Sequence, residues 1–93
     1  MKTFLLNLQQ KVTDNLISYR SIMNKDILDF TTYCIGNLSR RLGLSQGEVY
    51  RRLMSSGILY GYIIPAYDTL HTFGKEYLMQ DLTEFMREKG AIA

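Results

Sequence analysis

The chain has 93 residues, of which 46% are hydrophobic, 12% aromatic and 22% charged. This length fits one domain with one modest core, and this composition excludes a disordered protein. The net charge of +2 is too small to indicate nucleic-acid binding, although residues 1–22 are mildly basic and residues 61–93 mildly acidic.

Cys34 is the only cysteine, and the N-terminus lacks the basic region, long apolar run and cleavage site of a secretion signal. We therefore expect no internal disulfide and a cytoplasmic location. The longest apolar run, at 58–64, is far shorter than the roughly 20 residues of a membrane helix, so we expect no membrane association.

The first predicted element is an additional helix at 1–22, in front of a helical domain at 23–93, because apolar residues recur there at steps of three or four. These residues are Leu5, Leu8, Val12, Leu16, Tyr19 and Met23. No glycine or proline marks its end, so the stripe could continue into the next helix. The stripe could cover the domain's own core, or it could form a homodimer through Leu5, Leu8, Val12, Leu16 and Tyr19. Alternatively, residues 1–22 could reflect an upstream choice of start.

A second helix is predicted from its two ends. Asn24 can cap the start, Arg40 and Arg41 suit the negative end of the helix dipole, and Gly43 suits a left-handed exit. The expected inward residues are Ile27, Phe30, Cys34, Leu38 and Leu42, with Leu28 and Ile35 widening the stripe.

The third helix is predicted to start at Ser45 in the stretch LSQGEV. Ser45 and Glu48 match a capping box, and Leu44 and Val49 occupy the positions of a hydrophobic staple. Gly57 is expected to end this helix. Residues 58–72 have no partner strand, so we predict two short helical turns, the second with Pro65 at its first position.

The last helix is predicted in GKEYLMQDLTEFMREKG, with Gly90 beyond its end. Its expected inward residues are Leu78, Leu82, Phe85 and Met86. The predicted fold is therefore all-α: a compact bundle of four main helices, with one or two short helical turns between the third and the fourth.

The only histidine lies in the stretch PAYDTLHTFGKEY. Asp68 and Tyr67 stand three and four residues before His71, so on a helical turn they could form an acid–base group. The sequence offers no second histidine and no glycine-rich nucleophile turn, so we predict no catalytic residues. A structural corner is favoured, in which His71 and Thr72 close the turn and cap the last helix, while Tyr67, Leu70, Phe73 and Tyr77 pack against the core.

Metal and cofactor binding are not predicted. His71 and Cys34 are the only imidazole and thiol, so a four-coordinate zinc site would need carboxylates that show no recognisable spacing. Cys34 lies mid-helix on an apolar face, where a small core residue is more common than a reactive thiol.

The stretch NLSRRLGLSQGEVYRRLMSSGIL matches a helix-turn-helix, with a glycine in the turn and a capped second helix. DNA contact would then come from Gln46, Tyr50, Arg51 and Arg52. The alternative is a helical corner whose arginines are solvated, and the small net charge favours that alternative.

From residue 23 to 92 the chain resembles a small bacterial family of domains of unknown function, on the stretches MNKDILDFTTYCI, LGLSQGEVYRRL and YIIPAYDTLHTFGKEYLMQDL. The most specific part is a YDxLHTxGxxY signature, here Tyr67, Asp68, Leu70, His71, Thr72, Gly74 and Tyr77. The resemblance implies a compact helical fold, and its genes often neighbour ones for ADP-ribosyltransferase-like toxins. It supplies no catalytic residues, and the family begins at the position of Met23.

These expectations combine into a non-enzymatic protein-interaction module with a protein partner, in its most concrete form an antitoxin-like partner of a neighbouring ADP-ribosyltransferase-type protein. The predicted interaction or structural corner consists of Tyr67, Asp68, His71, Thr72, Gly74 and Tyr77. The alternative is a helix-turn-helix DNA-binding protein.

Overall fold

The computed structural model describes residues 24–93, so the predicted helix at 1–22 and its apolar stripe lie outside the described residues. All regular structure in the described part is helical. The elements are α1 (Lys25–Leu42), α2 (Gln46–Ser55), a π-helical turn (Leu59–Ile63), α3 (Tyr67–Leu70) and α4 (Lys75–Glu88). The all-α class is confirmed, as are the three predicted main helices that fall within 24–93.

The helix ends follow the predicted local signals. The side chain of Asn24 accepts a hydrogen bond from the Ile27 backbone N–H at 2.9 Å, and Ser45 Oγ accepts one from the Glu48 N–H at 3.1 Å. Gly43 ends α1 with φ 67°, a left-handed conformation that glycine adopts without strain. The reciprocal half of the predicted capping box is wrong, because the Glu48 carboxylate binds Arg51 and Arg52 instead.

Two short helical turns occupy 58–72, as predicted. In the first, the Ile64 N–H bonds to the Leu59 carbonyl at 3.1 Å, the wider spacing of a π-helix. The role predicted for Pro65 is wrong: Ala66 is the N-cap of α3, so Pro65 precedes the cap instead of opening the helix. Pro65 nevertheless separates the two turns, since it has no backbone N–H to continue the first.

One core joins all these elements, with α1 packed against α2 and α4 and the π-helical turn against α2. Its buried hydrophobic residues are Cys34, Leu38, Val49, Leu53, Ile58, Leu59, Ile63, Ile64, Leu70, Leu78, Met79, Leu82 and Met86. Leu28, expected inward, is exposed. Thr31 is buried, and its hydroxyl is satisfied by donating to the Ile27 carbonyl at 2.8 Å. Phe85 is only half-buried, at the edge of the core.

Candidate interaction surfaces

The predicted corner is built around a stacked pair of rings in α3 and just after it. The rings of Tyr67 and His71 stack with centroids 4.4 Å apart, and His71 Nδ1 lies 2.7 Å from the Tyr67 carbonyl oxygen. Because a carbonyl oxygen only accepts, this nitrogen carries the proton. Thr72 Oγ1 donates to the Thr69 carbonyl at 2.6 Å and so closes the turn.

Two details of the predicted corner are wrong. The N-cap of α4 is Gly74, which has no side chain to accept a hydrogen bond, so neither His71 nor Thr72 caps α4. Tyr77 is 62% exposed and packs edge-on against Phe73, with ring centroids 4.8 Å apart, instead of closing the corner against the core. Asp68, whose orientation the sequence does not fix, is exposed.

The ring of Tyr67 links this corner to α1. Phe30 meets Tyr67 edge-on at a centroid distance of 5.4 Å, and Tyr33 lies 6.5 Å from Phe30 with nearly parallel planes. His71, Tyr67, Phe30 and Tyr33 therefore form one continuous series of ring contacts, which we call the aromatic row. Phe30 and Tyr67 are half-buried, whereas Tyr33 is 42% exposed, so the row has an anchored middle and accessible ends.

The helix-turn-helix residues do not act as one set. Gln46, Tyr50 and Arg51 are exposed on α2, and Tyr50 and Arg51 line an open depression of about 640 Å³. Arg52 is half-buried: its Nη1 donates to the Ala91 carbonyl at 2.8 Å and its Nε to Glu48 at 3.0 Å. The geometry of α1, turn and α2 thus leaves three of the four predicted residues accessible.

Glu48 lies between these two arginines. Hydrogen bonds from Arg51 and then Arg52 lower the pKa of the Glu48 carboxyl, which keeps it ionised. The negative charge of Glu48 therefore offsets part of the positive charge of α2. This weakens the electrostatic attraction that α2 could exert on a phosphate backbone.

A third surface lies between the π-helical turn and α4, and the sequence predicted no contact between Tyr62 and α4. Tyr62 Oη donates to Asp81 Oδ2 at 2.7 Å, and the Tyr62 ring meets Phe85 edge-on at 4.9 Å. Burial and the Asp81 carboxylate raise the pKa of Tyr62 to about 12, so the phenol stays protonated. Glu84 and Glu88 complete the lining of a cleft of about 220 Å³.

The single histidine and the single cysteine lie in opposite environments, one exposed and the other buried. His71 is exposed and lines none of the three depressions described on α2 and α4. Cys34 is fully buried, and burial raises the pKa of its thiol to about 12, which suppresses the reactive thiolate. Within residues 24–93, no three His, Cys, Asp or Glu side chains are grouped closely enough to hold a metal ion.

Comparison with known proteins matches the chain to a protein family. A family described as "Protein of unknown function (DUF3791)" matches residues 29–89, which span α1 to α4. No curated protein matches the chain, and no solved structure matches it. Among the described residues no helix combines the length and apolar character that crossing a membrane requires.

Proposed function

We propose that this chain, which belongs to the DUF3791 family of proteins of unknown function, is a non-enzymatic module that binds another protein through the aromatic row. The observation that supports this function is the continuous series of ring contacts from His71 to Tyr33. Aromatic side chains dominate the energetic centres of protein interfaces, and they order at low entropic cost because they have few rotatable bonds.

The middle of the row is held in place before any partner arrives. Tyr67 is in contact with His71 on one side and Phe30 on the other, and the His71 ring is also tied to the Tyr67 carbonyl. A surface fixed in this way loses little conformational freedom on binding, which favours affinity. Stacking and the backbone hydrogen bond account for His71 without any catalytic role.

The charges beside the row suggest the chemistry of the partner. Asp26, one helical turn before Phe30, and Asp68, next to Tyr67, are both exposed. A partner with an apolar patch and a basic rim would complement this surface. We propose the neighbouring ADP-ribosyltransferase-type protein that the sequence resemblance implies, with the chain acting as its antitoxin-like partner.

Co-expression with the product of the neighbouring gene tests this function. We expect a complex that survives size-exclusion chromatography at physiological salt. If the neighbouring product is folded and soluble and the two proteins elute separately, the proposed function is refuted.

DNA binding remains a second candidate because Gln46, Tyr50 and Arg51 are exposed on the helix that follows the turn. Titration of labelled duplex at two salt concentrations separates the candidates, since phosphate contacts make affinity fall steeply with salt. Arg51→Ala should reduce the salt slope by about 1 if Arg51 contacts a phosphate. Absence of retardation at low salt would exclude this function.

A further inference from the structure

The surface between the π-helical turn and α4 combines an aromatic floor with a carboxylate rim. Tyr62, Phe85 and Tyr77 supply the rings, which line two clefts of about 220 and 130 Å³ together with the acidic side chains. These volumes are below the roughly 300 Å³ of small-molecule sites and suit single side chains. We call this surface the α4 groove, lined by Tyr62, Tyr77, Asp81, Glu84, Phe85 and Glu88.

The carboxylates of the α4 groove lack basic partners within the described residues. All ion pairs found in 24–93 involve other acidic residues, namely Asp29, Glu48 and Glu76. Asp81 accepts a hydrogen bond from Tyr62, and Glu84 accepts one from Gln80 at 3.4 Å, but neither bond neutralises a charge.

The chain itself shows that a cation suits this surface. The ammonium group of Lys89 lies 5.6 Å from the centroid of the Phe85 ring, the geometry of a cation–π contact. Glu84 and Glu88 line the groove with the same ring. A lysine or arginine side chain that enters the groove would thus meet a ring and two carboxylates.

We propose that the α4 groove binds residues 1–22 of the same chain. This segment contains Lys2, Lys11 and Arg20 against a single acidic residue, Asp14. Its basic residues match the carboxylate rim, and this charge complementarity favours docking.

The segment is tethered directly to the described part of the chain. Asn24 caps α1 with an extended backbone (φ −79°, ψ 178°), so α1 begins only at Lys25. Tethering makes the contact intramolecular, with an effective concentration on the order of millimolar, so even weak ion pairs suffice.

Carbodiimide cross-linking of the full chain tests this inference, because the reagent joins an amine to a carboxylate only where the two groups touch. We expect links from Lys2 or Lys11 to Asp81, Glu84 or Glu88. The yield of these links should fall at 1 M salt, because salt screens the attraction between exposed charges. Mixing ¹⁵N-labelled and unlabelled chains identifies the source: links within one chain carry a single label state. The Lys25–Asp29 pair, 3.8 Å apart, is the internal positive control.

Two results would overturn the proposal. Links that join labelled to unlabelled chains would show that the groove binds a second copy. If Lys25 is joined to Asp29 but neither Lys2 nor Lys11 forms any link, the segment does not dock. Limited trypsin digestion provides a second readout: Glu84→Gln should speed cleavage after Arg20 several-fold, whereas Asp68→Asn, which removes an exposed carboxylate outside the groove, should not. Equal cleavage rates in the two variants would also contradict the docking.

Discussion

Replacement of Arg52 distinguishes an arginine that holds the fold together from its more exposed neighbour, Arg51. Arg52 Nη1 donates to the Ala91 carbonyl at 2.8 Å, a bond that ties α2 to the end of the chain beyond α4. Arg51, its neighbour, donates a hydrogen bond to the Glu48 carboxylate, and its side chain is 70% exposed. The two arginines therefore form a matched pair of variants: the side chains are the same, but only Arg52 donates a hydrogen bond to Ala91.

The expected magnitude follows from the burial of Arg52. A hydrogen bond from a charged donor contributes about 1.5–3 kcal/mol when it is shielded from water. The Arg52 side chain retains 37% exposure, so water replaces part of the lost bond. We expect Arg52→Ala to lower the free energy of unfolding by about 1 kcal/mol, which corresponds to a fall in Tm of about 5 °C for a domain of this size.

Urea unfolding followed by circular dichroism at 222 nm measures both variants. Arg52→Ala should unfold at lower urea, and Arg51→Ala should unfold together with the wild type. If the two variants have equal midpoints, or if Arg51→Ala is the less stable one, the assignment of Arg52 to the Ala91 carbonyl is refuted.

Three further predictions concern stability and reactivity. The Cys34 thiol should react with an aromatic disulfide reagent only at the rate of global unfolding, and fast labelling of the native protein would contradict its burial. Because the pKa of Glu48 is lowered in the folded protein, its ionised carboxylate stabilises the fold at pH values above its ordinary pKa of 4.5. This stabilisation is lost as the pH falls through the lowered pKa. Thermal melts should therefore lose stability on acidification more steeply for the wild type than for Glu48→Gln, and parallel curves would refute this. His71→Ala should lower the free energy of unfolding by about 0.5–1 kcal/mol, because an exposed hydrogen bond and a stacking contact are lost. Asp68→Asn should leave the urea midpoint unchanged. Equal midpoints for the two variants would contradict the structural role of the His71 ring.

The fold could be predicted largely because its signals are local. Asn24, Gly43 and Ser45 each determine a helix end through their own side chain or backbone conformation, and each occupies its predicted position. The capping-box error arises where one local interaction outweighs another. Glu48 fits a capping box, yet its carboxylate gains more from two arginines than from one backbone N–H.

The candidate surfaces could be predicted only in part. The signature identified Tyr67 and His71, but their link to Phe30 joins residues 37 positions apart, which no helical period encodes. The Tyr62–Asp81 bond likewise spans 19 positions and depends on how the π-helical turn faces α4. Helical spacing predicted that Phe85 faces inward. Its half-buried position in the groove depends on how α4 packs against the π-helical turn, which helical spacing does not encode.

Calorimetric titration of the neighbouring gene product with two tyrosine variants tests the central claim most directly. Tyr33 and Tyr50 are 42% and 43% exposed, on the aromatic row and on α2 respectively, so their replacement removes nearly the same accessible ring. We expect Tyr33→Ala to raise the Kd at least tenfold, in line with an interface anchor worth more than about 1.4 kcal/mol, and Tyr50→Ala to leave it unchanged. Binding that is lost in Tyr50→Ala and retained in Tyr33→Ala would contradict the assignment of the partner to the aromatic row.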